Sequence, residues 1–201
     1  MNLMNPEAAK AMLEGDKWAW SHGARGQFLG CGLLYYAIGY VLASRLNVCL
    51  GSGSGFVPKF MRQAQRDLGI AEKSRTILVD ACVGKGGRAD YYDGPTVFTE
   101  QYPDIDLVKQ TTLSYVTSCP RPIGFLHIDA DHSFEGCIRD FDAYWPLVDS
   151  GGIVTLHDAS WPDAGVAQAV ARIRGSFGVA VLSIGTGLAI VGKPGPIVKK
   201  P

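Results

Sequence analysis

Apolar positions along the chain fall into short continuous runs separated by longer amphipathic stretches. Leu46–Leu50, Thr76–Val79 and Ile123–Ile128 are runs of strand length, and Gly151-Gly152 introduces another, IVTLHD. Ile105–Val108 is a weaker strand of the same kind. Between them, Val57–Leu68, Ser133–Val148 and Gly165–Arg174 carry helical spacing. Strands alternating with helices predict βαβ units and a mostly parallel sheet covered on both faces. Val179–Ile184 and Leu188–Val191 are joined only by Gly185-Thr186-Gly187, so they are predicted to form an antiparallel hairpin. The expected architecture is α/β: a Rossmann-like sheet of seven strands, six parallel and one antiparallel, with helices on both faces.

Upstream, Asn5-Pro6-Glu7 reads as a helix start, with an N-cap, proline at the first position and an acid facing the dipole; Gly15 would close that helix. Trp18, Trp20 and His22 follow in a loop-like stretch, then a long helix is expected to about Arg45. Gln27–Ser44 is uncharged and approaches the length of a membrane span. It contains Gly30, Gly32, Gly39 and three tyrosines and runs into a strand, so a buried helix packed on the sheet is expected instead. Residues 81–104 have little periodicity and read as a long loop or insertion.

The 201 residues suit one domain: an N-terminal arm (1–27), a cofactor-binding core (28–192) and a tail (193–201). Nineteen basic residues balance nineteen acidic ones without a dense basic run, which disfavours a nucleic-acid partner. Five cysteines, an odd number without metal-site spacing, read as reduced and mostly buried thiols of a cytoplasmic protein. The first residues lack the basic and apolar regions of a signal peptide, so no membrane association is expected.

The loop LGSGSGF places Gly51, Ser52, Gly53 and Gly55 directly after a strand and before a helix, where glycines allow a tight turn and close approach to a ligand. Asp80 ends the next strand, where a carboxylate can accept both hydroxyls of a ribose. Together they imply a nucleoside-containing cofactor. No Lys-Ser/Thr pair follows Gly55, which argues against a P-loop. Phe56 stands where a dinucleotide site usually has its third glycine.

The strand Ile123–Ile128 ends in Asp129-Ala130-Asp131-His132, and IVTLHD ends in His157-Asp158. With these residues the chain resembles the class I S-adenosylmethionine-dependent methyltransferases over roughly residues 28–192. LGSGSG resembles the family's first motif, ILVD its second, and GTGLAIV its closing hairpin. The block from Asp129 to Asp158 is similar to a branch of small-molecule O-methyltransferases, among them metal-dependent catechol- and sugar-modifying enzymes.

The resemblance implies S-adenosylmethionine as cofactor, touched by the glycine loop, Asp80 and Asp129. It implies a divalent cation on Asp129, His157 and Asp158, with a small hydroxylated molecule as methyl acceptor. Asp131 is then the general base, with His132 as its rival. His157 departs from the branch, which usually has an acid there; imidazole brings manganese or zinc into question beside magnesium. A bound cation would lower the pKa of the acceptor oxygen and a nearby base would take its proton.

Plainer roles exist for the same residues. Asp129 could cap a helix, Asp131 and His132 could serve a helix start near Ser133 and Glu135, and His157 could be a satisfied core histidine. Trp18, Trp20 and His22 either cover cofactor or substrate, or anchor the N-terminal arm. An NAD(P)-dependent oxidoreductase would share the glycine loop and Asp80, though not the closing hairpin. A non-catalytic S-adenosylmethionine-binding protein would share everything except turnover. The uncharged helix also offers a surface for a homodimer.

Overall fold

In the computed structural model, which describes residues 5–83 and 94–195, seven strands build one sheet. They are β1 (Leu46–Leu50), β2 (Arg75–Val79), β3 (Asp106–Val108), β4 (Ile123–Ile128), β5 (Val148–His157), β6 (Val179–Leu182) and β7 (Leu188–Gly192). Their order is β3-β2-β1-β4-β5-β7-β6. The pairs β1–β2, β1–β4, β2–β3 and β4–β5 are parallel, while β7 lies antiparallel to both β5 and β6. Six strands therefore run one way and β7 the other, as the sequence predicts. The hairpin departs from simple succession, because β7 enters the sheet beside β5 and leaves β6 at the edge.

Each strand is sorted by its pleat. Val48, Leu50, Ile77, Val79, Leu126, Ile128, Val154 and Leu156 share one apolar cluster with α5 (Thr112–Val116), α6 (Phe134–Tyr144) and α7 (Val166–Arg174). Cys49, Leu78, Phe125 and Leu188 face the other cluster, with α1 (Pro6–Leu13), α2 (Cys31–Val41) and α3 (Phe56–Asp67). A sheet covered on both faces explains why β1 is buried at every position.

α1 starts as expected, with the Asn5 side chain accepting the Glu7 amide at 2.8 Å. α2 is shorter than the predicted helix. It begins after Gly30 at φ +52°, and Ala43 at φ +44° breaks the chain before β1. It is also not wholly buried: Val41 is 81% exposed and Leu33 and Tyr40 are exposed on its outer side. No helix among the described residues is long and apolar enough to cross a membrane. The helix expected over 133–148 stops at Tyr144 and gives way to a 3-10 turn containing Pro146, which cannot donate to a continuing helix.

The stretch read as a long loop holds a short helix, α4 (Val97–Gln101), whose N-cap Thr96 exchanges hydrogen bonds with Thr99. Of that reading, residues 84–93 lie outside the described residues. All five cysteines are free, four of them buried.

α3 is buried along nearly its whole length, although it carries Lys59, Arg62, Gln63 and Gln65. Each of these finds a partner in the elements packed around it. Arg62 pairs with Asp104 at 2.8 Å, Gln65 donates to the Ser44 carbonyl at 2.9 Å, and Lys59 pairs with Asp16 at 2.7 Å. Buried polar groups require such satisfaction, and here it ties the N-terminal segment to the sheet.

Candidate active site

Asp80, Asp129, His157 and the glycine loop all stand at the carboxyl ends of parallel strands, the edge where open α/β sheets bind ligands. The glycine loop continues β1: the Gly51 amide donates to the Val79 carbonyl at 2.8 Å, and the Asp129 amide to the Leu50 carbonyl at 2.8 Å. Gly51 sits at φ +69°, and a Cβ there would run into the Asp129 carbonyl. No larger residue could let the two strand ends pass so closely.

A cavity of about 880 Å³ opens over this edge. Gly51, Ser52, Gly53 and Asp80 line it together with Asp129, Asp131, His132, His157 and Asp158, and so do Trp18 and His22 of the N-terminal segment. Gly55 is not part of the lining. It stands at φ +85° against the Phe98 ring and starts α3. Burial raises the pKa of the Asp80 carboxyl, against the Cys82 amide that it accepts at 2.7 Å.

All four histidines of the chain gather near Asp129. Asp129 Oδ1 lies 3.0 Å from His157 Nδ1 and 3.3 Å from His132 Nε2. Its Oδ2 lies 3.8 Å from His127 Nε2, too far for a hydrogen bond. His132 bridges to Asp158, with Nδ1 at 3.1 Å from Oδ2. His157 faces Asp158 as well, Nδ1 to Oδ1 at 3.2 Å. The other His157 nitrogen meets the Ser21 carbonyl at 3.3 Å and Thr186 Oγ1 at 3.1 Å. Both His157 nitrogens thus face acceptors, the arrangement of an imidazolium.

The charges follow from that geometry. Burial opposes charge on His157, but the Asp129 carboxylate outweighs it and raises the pKa. Burial likewise opposes the Asp129 charge, and the surrounding imidazoles win, holding its carboxyl well below the usual range. The hydrogen bond with Asp129 pushes His132 up to about 9. His22 and His127 go the other way. Both are fully buried and desolvation lowers them. His22 stacks between Phe56, centroids 4.4 Å apart, and His157, at 4.0 Å, and bonds Tyr35 at 3.1 Å.

The sequence-predicted residues are placed unequally. Asp131 turns away from the histidines: it accepts the Ser133 amide at 3.0 Å and Arg139 at 3.2 Å, and those partners lower its pKa against a modest burial penalty. Ser133, and not Asp131 or His132, is the N-cap of α6. Asp129, His157 and Asp158 converge, but the two sets of three ligand atoms lying within 4.8 Å of one another are His22–Asp129–His157 and Asp129–His132–Asp158. His22, His127 and Thr186 escaped the sequence reading as members of this cluster. A histidine inside the apolar run of β4 was the available signal for His127, which lies on the α2–α3 face and bonds Thr155 at 2.8 Å.

The donor set fits a divalent cation. Asp158 Oδ1 is buried and accepts no hydrogen bond, with only the ion-pair contact to His157 Nδ1 at 3.2 Å, and carboxylate oxygens with imidazole nitrogens suit magnesium, manganese or zinc.

The family model described as "Methyltransferase domain" matches residues 48–159. No curated protein matches the chain. Among solved structures, a protein from Corynebacterium glutamicum is similar at TM-score 0.66 and 18% identity, covering 96% of this chain and 91% of that one. The O-methyltransferase TomG from Streptomyces achromogenes, solved with SAM, gives 0.64 and 14% over 92% and 90%. An O-methyltransferase from Bacillus cereus, solved with SAH, gives 0.64 and 12% over 94% and 92%. At these identities the likeness is one of fold.

Proposed function

Since the chain belongs to the methyltransferase-domain family, whose model spans 48–159, we propose that it carries a methyl group from S-adenosylmethionine to a hydroxyl of a small molecule. The observation that carries this reading is a single cavity joining the glycine loop and Asp80 to the Asp129–His132–Asp158 cluster. The two O-methyltransferases of like fold, each solved with SAM or SAH, support it.

The glycine loop and Asp80 hold the cofactor. Asp80 would accept the ribose hydroxyls, and Gly51 and Gly53 would let the backbone approach. His132 is the base: it is the half-exposed member of the cluster, 49% accessible at its side chain, and it reaches the cavity between two carboxylates. Its neutral form takes the acceptor proton at an imidazole nitrogen, a form that becomes populated as pH rises toward the value of about 9 to which Asp129 pushes it, and Asp129 and Asp158 stabilise the imidazolium that results. S-adenosylmethionine, when bound, would supply an electrophilic methyl group; the acceptor oxygen would gain that methyl, and the sulfur would retain the electron pair of the broken bond in S-adenosylhomocysteine. His157, bonded on both sides, fixes Asp129. Asp131, tied to Ser133 and Arg139, is a weaker candidate for the base.

Asp129, Asp158 and the imidazole of His157 would hold a divalent cation, which leaves His132 to act as the base. When bound, such a cation polarises the acceptor oxygen and lowers its pKa.

The test is a calorimetric titration with S-adenosylmethionine on metal-stripped protein, repeated with magnesium, manganese or zinc, followed by a methylation screen of catechols and vicinal diols. Cofactor binding and methylated product are expected. A protein that binds no S-adenosylmethionine under any of these conditions refutes the reading. Cofactor binding without metal heat keeps the methyl transfer and removes the cation.

A further inference from the structure

The N-terminal segment from Asp16 to His22, four of whose residues line the cavity, is fixed from both ends. At its start, the Asp16 carboxylate is fully buried and accepts three donors: Ser54 Oγ at 2.8 Å, the Trp18 amide at 3.0 Å and Lys59 Nζ at 2.7 Å. Ser54 belongs to the glycine loop and Lys59 to the helix that follows it, so one carboxylate joins the segment to both. At its end, the Ser21 carbonyl accepts the Thr186 amide at 2.8 Å and the Thr186 hydroxyl at 3.1 Å. Gly185 and Gly23 complete the junction, and a side chain at Gly185 would collide with the Ser21 backbone.

Trp18 lies between these anchors. Its ring packs over Gly53, where a Cβ would come within 2.7 Å of the indole Cδ1. It lines the cavity together with Gly51, Ser52 and Asp80, and it remains 39% exposed. An indole pinned through its own amide, packed on the glycine loop and still open to the cavity has a free surface directed at whatever the loop holds.

We propose that Trp18 contacts the cofactor, with Asp16 as the positioning residue that sets it over the glycine loop, so that the N-terminal segment is a wall of the cofactor site and not only its anchor. This rests on the S-adenosylmethionine reading above. Cofactor binding covers the exposed indole surface, and Asp16 holds that surface ready, so that little ordering is required on binding. Ser54 links the two sides, since it hydrogen-bonds Asp16 while its neighbour Gly53 carries the ring.

Calorimetry with S-adenosylmethionine and thermal unfolding of the cofactor-free protein, on wild type, Trp18→Ala, Trp18→Phe and Ser54→Ala, test this. Trp18→Ala is expected to weaken S-adenosylmethionine roughly tenfold while the cofactor-free melting temperature moves little. Trp18→Phe should restore most of the affinity, and Ser54→Ala should lose a few-fold through the loosened Asp16. Wild-type affinity in Trp18→Ala overturns the proposal, as does a lowered melting temperature with unchanged affinity. If the wild type itself binds no S-adenosylmethionine, the cofactor reading fails and takes the proposal with it.

Discussion

Asp129 and His157, 28 residues apart in the chain, meet at 3.0 Å because β4 and β5 pair in parallel with Ile128 opposite Leu156. The next residue of each strand is then brought side by side at the sheet edge. Register, not local sequence, makes this pair. The ring is held from behind by Ser21 and Thr186, so it fixes where the Asp129 carboxylate points. His157→Ala is expected to cut turnover by roughly ten- to a hundredfold, the usual cost of losing a supporting partner, while S-adenosylmethionine affinity stays within about twofold. Calorimetry with manganese or zinc on the same variant separates its roles. Lost metal heat marks a ligand; unchanged metal uptake leaves His157 as an orienting residue only.

His132 and Asp131 are adjacent but differ in what they face. His132 reaches both Asp129 and Asp158, whereas Asp131 is committed to the Ser133 amide and Arg139. His132→Ala should therefore lower turnover about a hundredfold or more, in the range set by removing a general base. Asp131→Asn should retain more than about a tenth of wild-type turnover. Initial rates at saturating S-adenosylmethionine decide between them, and the reverse ranking would return the base to Asp131.

Lys59 is an ammonium that burial drives toward its neutral form, with Asp16 opposing. Removing the carboxylate leaves a buried charge without a partner, which costs about 3 kcal/mol or more. Asp16→Ala is thus expected to lower the melting temperature by roughly 6–12 °C. The double variant Asp16→Ala/Lys59→Met should recover part of that loss, because no unpaired charge remains buried. Thermal unfolding monitored by circular dichroism reads both, and a single variant as stable as wild type would show that the pair contributes nothing.

The strands, their direction and the glycine loop were legible in the sequence because each is a local pattern: an apolar run, a switch of period, a cluster of small residues. Asp80, Asp129 and His157 could be set at strand ends for the same reason. Their partners could not. His22 reaches Asp129 and His157 only because the N-terminal segment folds back across the sheet, and nothing near residue 22 encodes that contact. Thr186 lies in a turn whose neighbours follow from β7 inserting beside β5, an order that the alternation of elements does not determine. The hydrogen bonds of Asp131 were hidden for a different reason: an acid two residues before an N-cap reads equally well as a base or as a local acceptor. The burial of α3, despite Lys59 and Arg62, depends on Asp16 and Asp104 arriving from distant parts of the chain.

Asp104 sets the acid limit of this arrangement. Its partial burial favours the neutral carboxyl, but hydrogen bonds from Arg66 and Arg62 outweigh that and lower its pKa. The folded protein therefore holds this carboxylate more tightly than the unfolded chain, whose aspartates titrate near about 3.9. Its contribution is complete above the unfolded value and is lost as pH falls through the lower folded one. Asp104→Asn should be less stable than wild type at pH 6, and the gap should narrow as pH falls below about 3.9 and on through the lower folded value, below which both chains carry a neutral side chain. Urea unfolding across that range measures the difference. A gap that stays constant with pH would show that Asp104 acts through packing alone and that its charge on Arg62 and Arg66 carries no weight.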